Sequence, residues 1–176
     1  MRLLALGDTH IPDRADEIPI EVLKFIREFT PNALLFTGDA TEYGTLFLLE
    51  KLVPTYAVRG NMDNVDSPKQ QSLEFDGKKL LLIHGHQFGR GNYDSLIKYA
   101  NRYDIVVCGH THRQEHFEER GVLVVNPGSV TGASGKVATG EKTFTTIIIK
   151  GQVEVEEYVV KEDGIQRKGS KGTDST

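Results

Sequence analysis

A single cysteine, Cys108, has no partner for an intrachain disulfide, and such sparing use of cysteine fits a reducing cytoplasm. No apolar run comes near the roughly 20 residues that span a bilayer, so no membrane span is expected. Arg2 before Leu3-Leu4-Ala5-Leu6 imitates a secretory signal, but the apolar run is too short and Asp8 follows at once. Positive charge is not in excess either. With 21 Lys and Arg against 25 Asp and Glu, the net charge of -4 argues against a nucleic-acid-binding surface, a local basic patch aside. There is no internal repeat. From Gly164 to Thr176 the only large apolar residue is Ile165. Such a segment cannot bury enough surface to offset chain entropy. The expected organisation is therefore one domain over residues 1–160 and a polar, flexible tail over 161–176.

What is present is an ordinary globular composition: 176 residues, 38% hydrophobic and 26% charged, enough for a sizeable core. One stretch organises the rest, Ile105-Val106-Val107-Cys108-Gly109-His110-Thr111-His112. Its apolar, β-branched start reads as a buried strand, with Cys108 as a structural thiol inside it. If the chain stays extended, His110 and His112 point to the same side and aim at one spot past the strand end. Two loop histidines hydrogen-bonded to each other are the competing explanation, and the remaining sequence decides between them.

The same grammar recurs. Arg2 to Leu6 reads as a strand ending in Gly7-Asp8-Thr9-His10. Pro19 suits a helix start, and Val22, Leu23, Ile26 and Phe29 follow helical spacing. A strand over 33–36 ends in Thr37-Gly38-Asp39. A helix over 42–52, with Tyr43, Leu46, Phe47 and Leu49 as its expected apolar side, leads to a strand over 54–58 that ends in Arg59-Gly60-Asn61. This β-α-β-α-β order implies parallel strands with right-handed crossovers. Asp76-Gly77 predicts a hairpin turn between strands at 72–75 and 79–83, and the second strand ends in His84-Gly85-His86. A helix after Asn92 buries Tyr93, Leu96, Ile97 and Ala100. Strands over 115–119 and 122–125 follow, then Asn126-Pro127-Gly128-Ser129, then a last hairpin over 144–160.

Five strand ends thus carry Asp8 with His10, Asp39, Asn61, His84, and His110 with His112. In open α/β sheets, sites gather at the carboxyl ends of strands. Of six histidines only His116 lies away from these places. Seven ligands exceed what one catalytic zinc ion takes and suit two ions, with Asp39 as a central bridge. Imidazole, carboxylate and amide together favour Mn, Fe, Co, Ni or Zn over Ca or Mg; manganese is the first expectation. Two such ions clamp the attacking and leaving oxygens of an in-line phosphoryl displacement.

The order Asp-x-His, Gly-Asp, Gly-Asn, His-Gly, Gly-His-x-His, over residues 3–135, resembles the calcineurin-like metallophosphoesterases. The resemblance implies an α/β fold, a four-layer α/β/β/α sandwich of two mixed sheets flanked by helices. It implies one metal on Asp8, His10, Asp39 and His112 and a second on Asp39, Asn61, His84 and His110. It also implies hydrolysis of a small-molecule phosphodiester by a metal-bridging hydroxide. The short chain and the 126–129 loop resemble a compact bacterial and archaeal phosphodiesterase subgroup. The pieces at 8–12, 84–87 and 126–133 also resemble the scaffold subunit of the eukaryotic retromer coat, which has the same fold and serves as an interaction platform. That supplies the alternative function; a nuclease is a third, unsupported by the net charge. Where many family members continue Gly-Asn with His-Glu, this chain has Met62 and Asp63. It therefore lacks the histidine that helps protonate the leaving group, a role that Asp63 or His86 is a candidate to fill. The 126–129 loop reads equally as a backbone phosphate cradle or a plain turn beneath the site, and Arg59 and Arg113 as phosphate contacts or surface residues. A homo-oligomer remains open.

Overall fold

Alternation along the first strand sets the layering. In β1 (Arg2–Leu6), Leu4 and Leu6 enter one apolar cluster while Leu3 and Ala5 enter another. The parallel neighbour β2 (Ala33–Phe36) divides the same way, Leu34 and Phe36 on one side and Ala33 and Leu35 on the other. Strands buried on both faces must be apolar throughout, which is why neither shows a polar alternation. The computed structural model describes residues 1–133 and 140–168.

The first cluster is roofed by α1 (Ile20–Phe29) through Val22 and Ile26 and by α2 (Tyr43–Leu52) through Leu46 and Leu49. The β3 strand (Thr55–Ala57) extends the sheet in parallel beyond β2. The second cluster lies between this sheet and another. A hairpin of β4 (Gln70–Phe75) and β5 (Lys78–Ile83), turning at Asp76-Gly77 with φ of 49° and 76°, begins the second sheet. A single 3-10 turn (His86–Phe88) and α3 (Tyr93–Tyr99) follow, then β6 (Ile105–Val107), β7 (Gln114–Glu119) and β8 (Val122–Pro127). Leu80, Leu82, Ile105, Val107 and Val125 face the first sheet; Leu81, Ile83, Val106 and Val124 face α3. The chain returns to the first sheet with β9 (Lys142–Lys150), β10 (Gln152–Lys161) and β11 (Gly164–Arg167). The sheet orders are β11-β10-β9-β1-β2-β3 and β4-β5-β6-β8-β7. The architecture is the expected α/β/β/α sandwich of two mixed sheets. Its parallel cores, β1-β2-β3 and β5-β6-β8, deliver their carboxyl ends to one crevice.

Two expectations are corrected. Tyr43 and Phe47 of α2 are 53% and 52% exposed. The helix instead buries Thr45, Leu46 and Leu49, and Tyr43 and Phe47 lean on each other outside, 6.3 Å between ring centroids, with Lys51 over Phe47. The polar tail does not begin at residue 161 or at Gly164. Gly164–Arg167 adds an antiparallel edge strand to β10, and Ile165 packs on the first cluster. One apolar residue in four shows no period, so only the pairing edge of β10 reveals the strand. The rest of the expected tail, 169–176, lies outside the described residues. Among the described residues no helix is long and apolar enough to cross a membrane.

Candidate metal centre

Beyond their last residues the strands continue to touch through loop backbone: Thr37 N–H donates to Leu6 O, Asp8 N–H to Gly38 O at 2.8 Å, His10 N–H to Asp39 O at 2.9 Å, and Gly109 N–H to His84 O at 3.1 Å. The loops are too close for side chains at the glycines. A Cβ on Gly7 would lie 2.0 Å from Thr37 Oγ1, and one on Gly109 2.5 Å from Asp8 Oδ2. The ligand-bearing backbone also turns sharply. Asp8, His10, Asp39, His110 and His112 all adopt positive φ, between 48° and 71°. The 110–112 segment is therefore not extended, and its histidines part toward two adjoining places rather than one.

His112 Nε2 is 3.2 Å from Asp8 Oδ1 and 3.1 Å from His10 Nε2, and His10 Nε2 is 3.5 Å from Asp39 Oδ2. Donor atoms of Asp8, His10, Asp39 and His112 all lie within 4.8 Å of one another, and the four residues are buried. Beside them, His84 Nε2 is 3.5 Å from Asp39 Oδ2 and 3.1 Å from Asn61 Oδ1. The His110 ring centroid is 5.2 Å from that of His84. Asn61 is exposed and His110 half-buried, so this side faces solvent.

The donor atoms fit a cation. His112 Nδ1 donates to Ala133 O at 3.0 Å and His84 Nδ1 to Thr37 O at 2.7 Å, which fixes both rings with Nε2 inward. With Nδ1 donating, a neutral ring presents its Nε2 lone pair inward, where Asp8 and Asp39 add carboxylate oxygens, a set of donor atoms that a divalent cation satisfies. His10 Nδ1 is buried without a partner. Burial would raise the Asp8 pKa, but the His112 hydrogen bond and the charges of His84, His112 and His10 outweigh it and hold the carboxyl below its ordinary value. Burial raises that of Asp39, with His84 opposing. The buried Asp/His cluster is suited to a divalent metal.

Asp63 does not supply a proton donor to the crevice. Its buried carboxylate accepts the backbone N–H groups of Asp39 at 2.9 Å, Thr41 at 2.7 Å and Gly60 at 2.6 Å. It thus ties two ligand loops together. Asp63→Ala strands three donors and is expected to cost about 2–4 kcal/mol of stability, measurable as a lowered urea midpoint; a change within 0.5 kcal/mol, about the noise of a surface substitution, would contradict the role. His86 is exposed, its ring 5.3 Å from His84 and 6.2 Å from His110. It stands at the rim, its pKa lowered by burial and by His84 and Lys69. Met62 N–H donates to Asp39 Oδ1 at 2.8 Å while its side chain is exposed. Arg59 and Arg113 are exposed. His116 pairs with Glu157 at 2.7 Å, away from the site. Cys108 is buried, which pushes its thiol pKa up.

The 126–129 loop is a brace beneath the site: Ser129 Oγ donates to Asp8 O at 2.7 Å and accepts from Ala133 N–H at 2.9 Å. Thr37, whose carbonyl orients His84, carried no signal in the sequence beyond standing before Gly38-Asp39.

The fold and this cluster define a calcineurin-like metallophosphoesterase: the family model described as the calcineurin-like phosphoesterase superfamily domain matches residues 1–152, and the chain belongs to that family. Over 137 residues it is 36% identical to a "Probable metallophosphoesterase" of Methanothermobacter thermautotrophicus, covering 74% of this chain and 78% of that one. Vacuolar protein sorting 29 of Cryptosporidium parvum has a similar structure, with TM-score 0.87, 27% identity and 95% of each chain covered. Wild-type Vps29 of Entamoeba histolytica, solved in complex with Zn²⁺, matches with TM-score 0.87 and 27% identity over 96% of this chain and 97% of that one. Membership of the family points to hydrolysis of phosphoester bonds.

Proposed function

We propose that this protein is a cytoplasmic phosphodiesterase holding two divalent ions, manganese being the first choice. One ion would sit on Asp8, His10, Asp39 and His112, the other on Asp39, Asn61, His84 and His110. The supporting observation is Asp39 Oδ2, 3.5 Å from both His10 Nε2 and His84 Nε2: one carboxylate oxygen shared by two donor groups. Such ions supply Lewis acidity at phosphoryl oxygens and lower the pKa of water.

The chain's own residues do the rest. The buried group anchors; the exposed Asn61 and half-buried His110 mark the face where a phosphoryl group enters. His86, on that face, is the one nearby imidazole outside both donor groups and can hold or release a proton at a ring nitrogen as the leaving oxygen departs. With Met62 in place of a second imidazole, substrates whose leaving group needs little protonation are favoured.

The test is to strip metal, restore Mn²⁺ in steps, and follow a chromogenic phosphodiester and the matching monoester. Metal-dependent turnover with the diester ahead is expected. Two bound equivalents with neither ester hydrolysed would overturn the enzyme reading. That outcome would favour a protein-docking platform, a second reading supported by the exposed Tyr43, Phe47 and Leu48 and by the likeness to Vps29.

Metal uptake should carry a defined proton cost. Burial pushes His10 and His110 down to about 4, so both are neutral from about pH 5 upward. For His112, burial lowers the pKa, but the hydrogen bond and charge of Asp8 outweigh it and raise the pKa above 6.5. An ion must displace that proton. Affinity is expected to fall at least about tenfold per pH unit below the His112 pKa, with Asp39, whose pKa burial raises, and then His10 and His110 near pH 4 adding theirs as pH falls. Calorimetry in two buffers of different ionisation enthalpy measures the release; no proton released at pH 6 would refute it. In metal-free protein the signs divide. His112 contributes stability that is full below pH 6.5 and lost as pH rises through its folded pKa. His10 and His110 lose theirs as pH falls from 6.5 toward 4.

A further inference from the structure

The loop carrying His110 and His112 cannot hold itself. Both residues have positive φ, 71° and 60°, a conformation that costs a non-glycine residue of order 1 kcal/mol or more. Something outside the loop must over-determine it. Asn126, at the end of β8, is fully buried. Its Nδ2 donates to Gly109 O at 3.0 Å and Thr111 Oγ1 at 3.0 Å and reaches Tyr93 Oη at 3.3 Å, while Oδ1 accepts from Gly128 N–H at 3.0 Å. The two ends of the carboxamide are thereby distinguished by their partners. Tyr93 Oη in turn donates to Glu115 Oε1 at 2.8 Å, and Thr111 Oγ1 accepts from Arg113 N–H at 3.2 Å. One buried knot therefore joins α3, the 109–112 loop, β7 and the 126–129 turn. His84 is held separately, by Thr37 O.

We infer that Asn126 is a positioning residue: through Gly109 O and Thr111 it sets the backbone that aims His110 and His112 into the metal centre. This rests on the cluster being a metal site, not on which ester it hydrolyses. Asn126→Asp keeps the shape but turns a carboxylate oxygen toward Gly109 O, replacing attraction with repulsion. Thr111→Val removes the accepting hydroxyl at nearly constant volume, and Thr111→Ser restores it.

Mn²⁺ affinity is measured by electron paramagnetic resonance without substrate, and imidazole nitrogen shifts by NMR on metal-free protein. Asn126→Asp and Thr111→Val should each weaken Mn²⁺ binding about 10–100-fold, with Thr111→Ser within about threefold of the parent. The ring signals of His110 and His112 should move while those of His84 stay. Parent-like affinity in folded Asn126→Asp or Thr111→Val, or an equal loss in Thr111→Ser and Thr111→Val, overturns the inference. If Asn126→Asp fails to fold, the Thr111 pair decides alone. A parent that binds Mn²⁺ but hydrolyses no ester removes the phosphodiesterase reading and leaves this one standing.

Discussion

Asp39→Asn is expected to lower metal-dependent ester hydrolysis by at least about 10³-fold, the equivalent of about 4 kcal/mol of transition-state stabilisation. The substitution changes no volume. It removes the carboxylate that, among the described residues, stands between the two donor groups, since Oδ2 is 3.5 Å from the Nε2 atoms of both His10 and His84. Oδ1 is already used, accepting from Met62 N–H. An amide keeping that bond turns its NH₂ toward the two histidines and leaves them no shared anion. Burial already raises the pKa of Asp39, so the metal-free parent tolerates a neutral group here. Far-ultraviolet circular dichroism should therefore match the parent while Mn²⁺ binding and turnover fall. Activity within tenfold of the parent would remove Asp39 from the bridging role.

Gly60→Ala carries the second large effect, and it comes from one methyl group. A Cβ there would lie 2.0 Å from Asp39 Oδ1 and 2.4 Å from Asp39 N. The second neighbour is backbone and cannot rotate away. Gly60 N–H is also bound to Asp63 Oδ2, which prevents the loop from retreating. The methyl must expel the Asp39 carboxylate or separate the two loops, so Mn²⁺ affinity should fall at least about 100-fold with a stability loss of about 1–3 kcal/mol. Gly44→Ala in α2 meets nothing within 4 Å and is the matched control; it should be neutral or gain up to about 1 kcal/mol. Titrated Mn²⁺ affinity and thermal midpoints for the pair decide the matter. Equal behaviour of the two variants would mean that the close approach of the 38–39 and 60–61 loops is not required.

Much of the centre is legible in the chain because strand and ligand are adjacent in sequence. Leu3 to Leu6 and Ile105 to Val107 announce buried strands by being apolar throughout, and the residues after a parallel strand are delivered to its carboxyl edge whatever the details of packing. Asp8, His10, Asp39, Asn61, His84, His110 and His112 could be named on that ground. Asp76-Gly77 encoded its own turn, since both residues tolerate positive φ.

Other parts depended on partners distant in the chain. The roles of Asp63, Asn126 and Ser129 are hydrogen bonds to backbone groups whose positions exist only after the loops converge. Helical spacing alone puts Tyr43, Leu46, Phe47 and Leu49 on one side of α2, and only packing shows that Leu46 and Leu49 fill the core while Tyr43 and Phe47 stay outside. The four-residue β11 strand is made by the open edge of β10, not by its own composition. The sequence by itself determined the apolar strand pattern, the parallel order of the first half and the set of candidate donor residues, because these follow from local periodicity and chain adjacency. Only the tertiary structure decided how far apart the donor atoms lie, which glycines are required by close approach, and which polar residues brace the site rather than act in it. Those outcomes depend on distances of a few ångströms between loops far apart in sequence, and packing sets those distances.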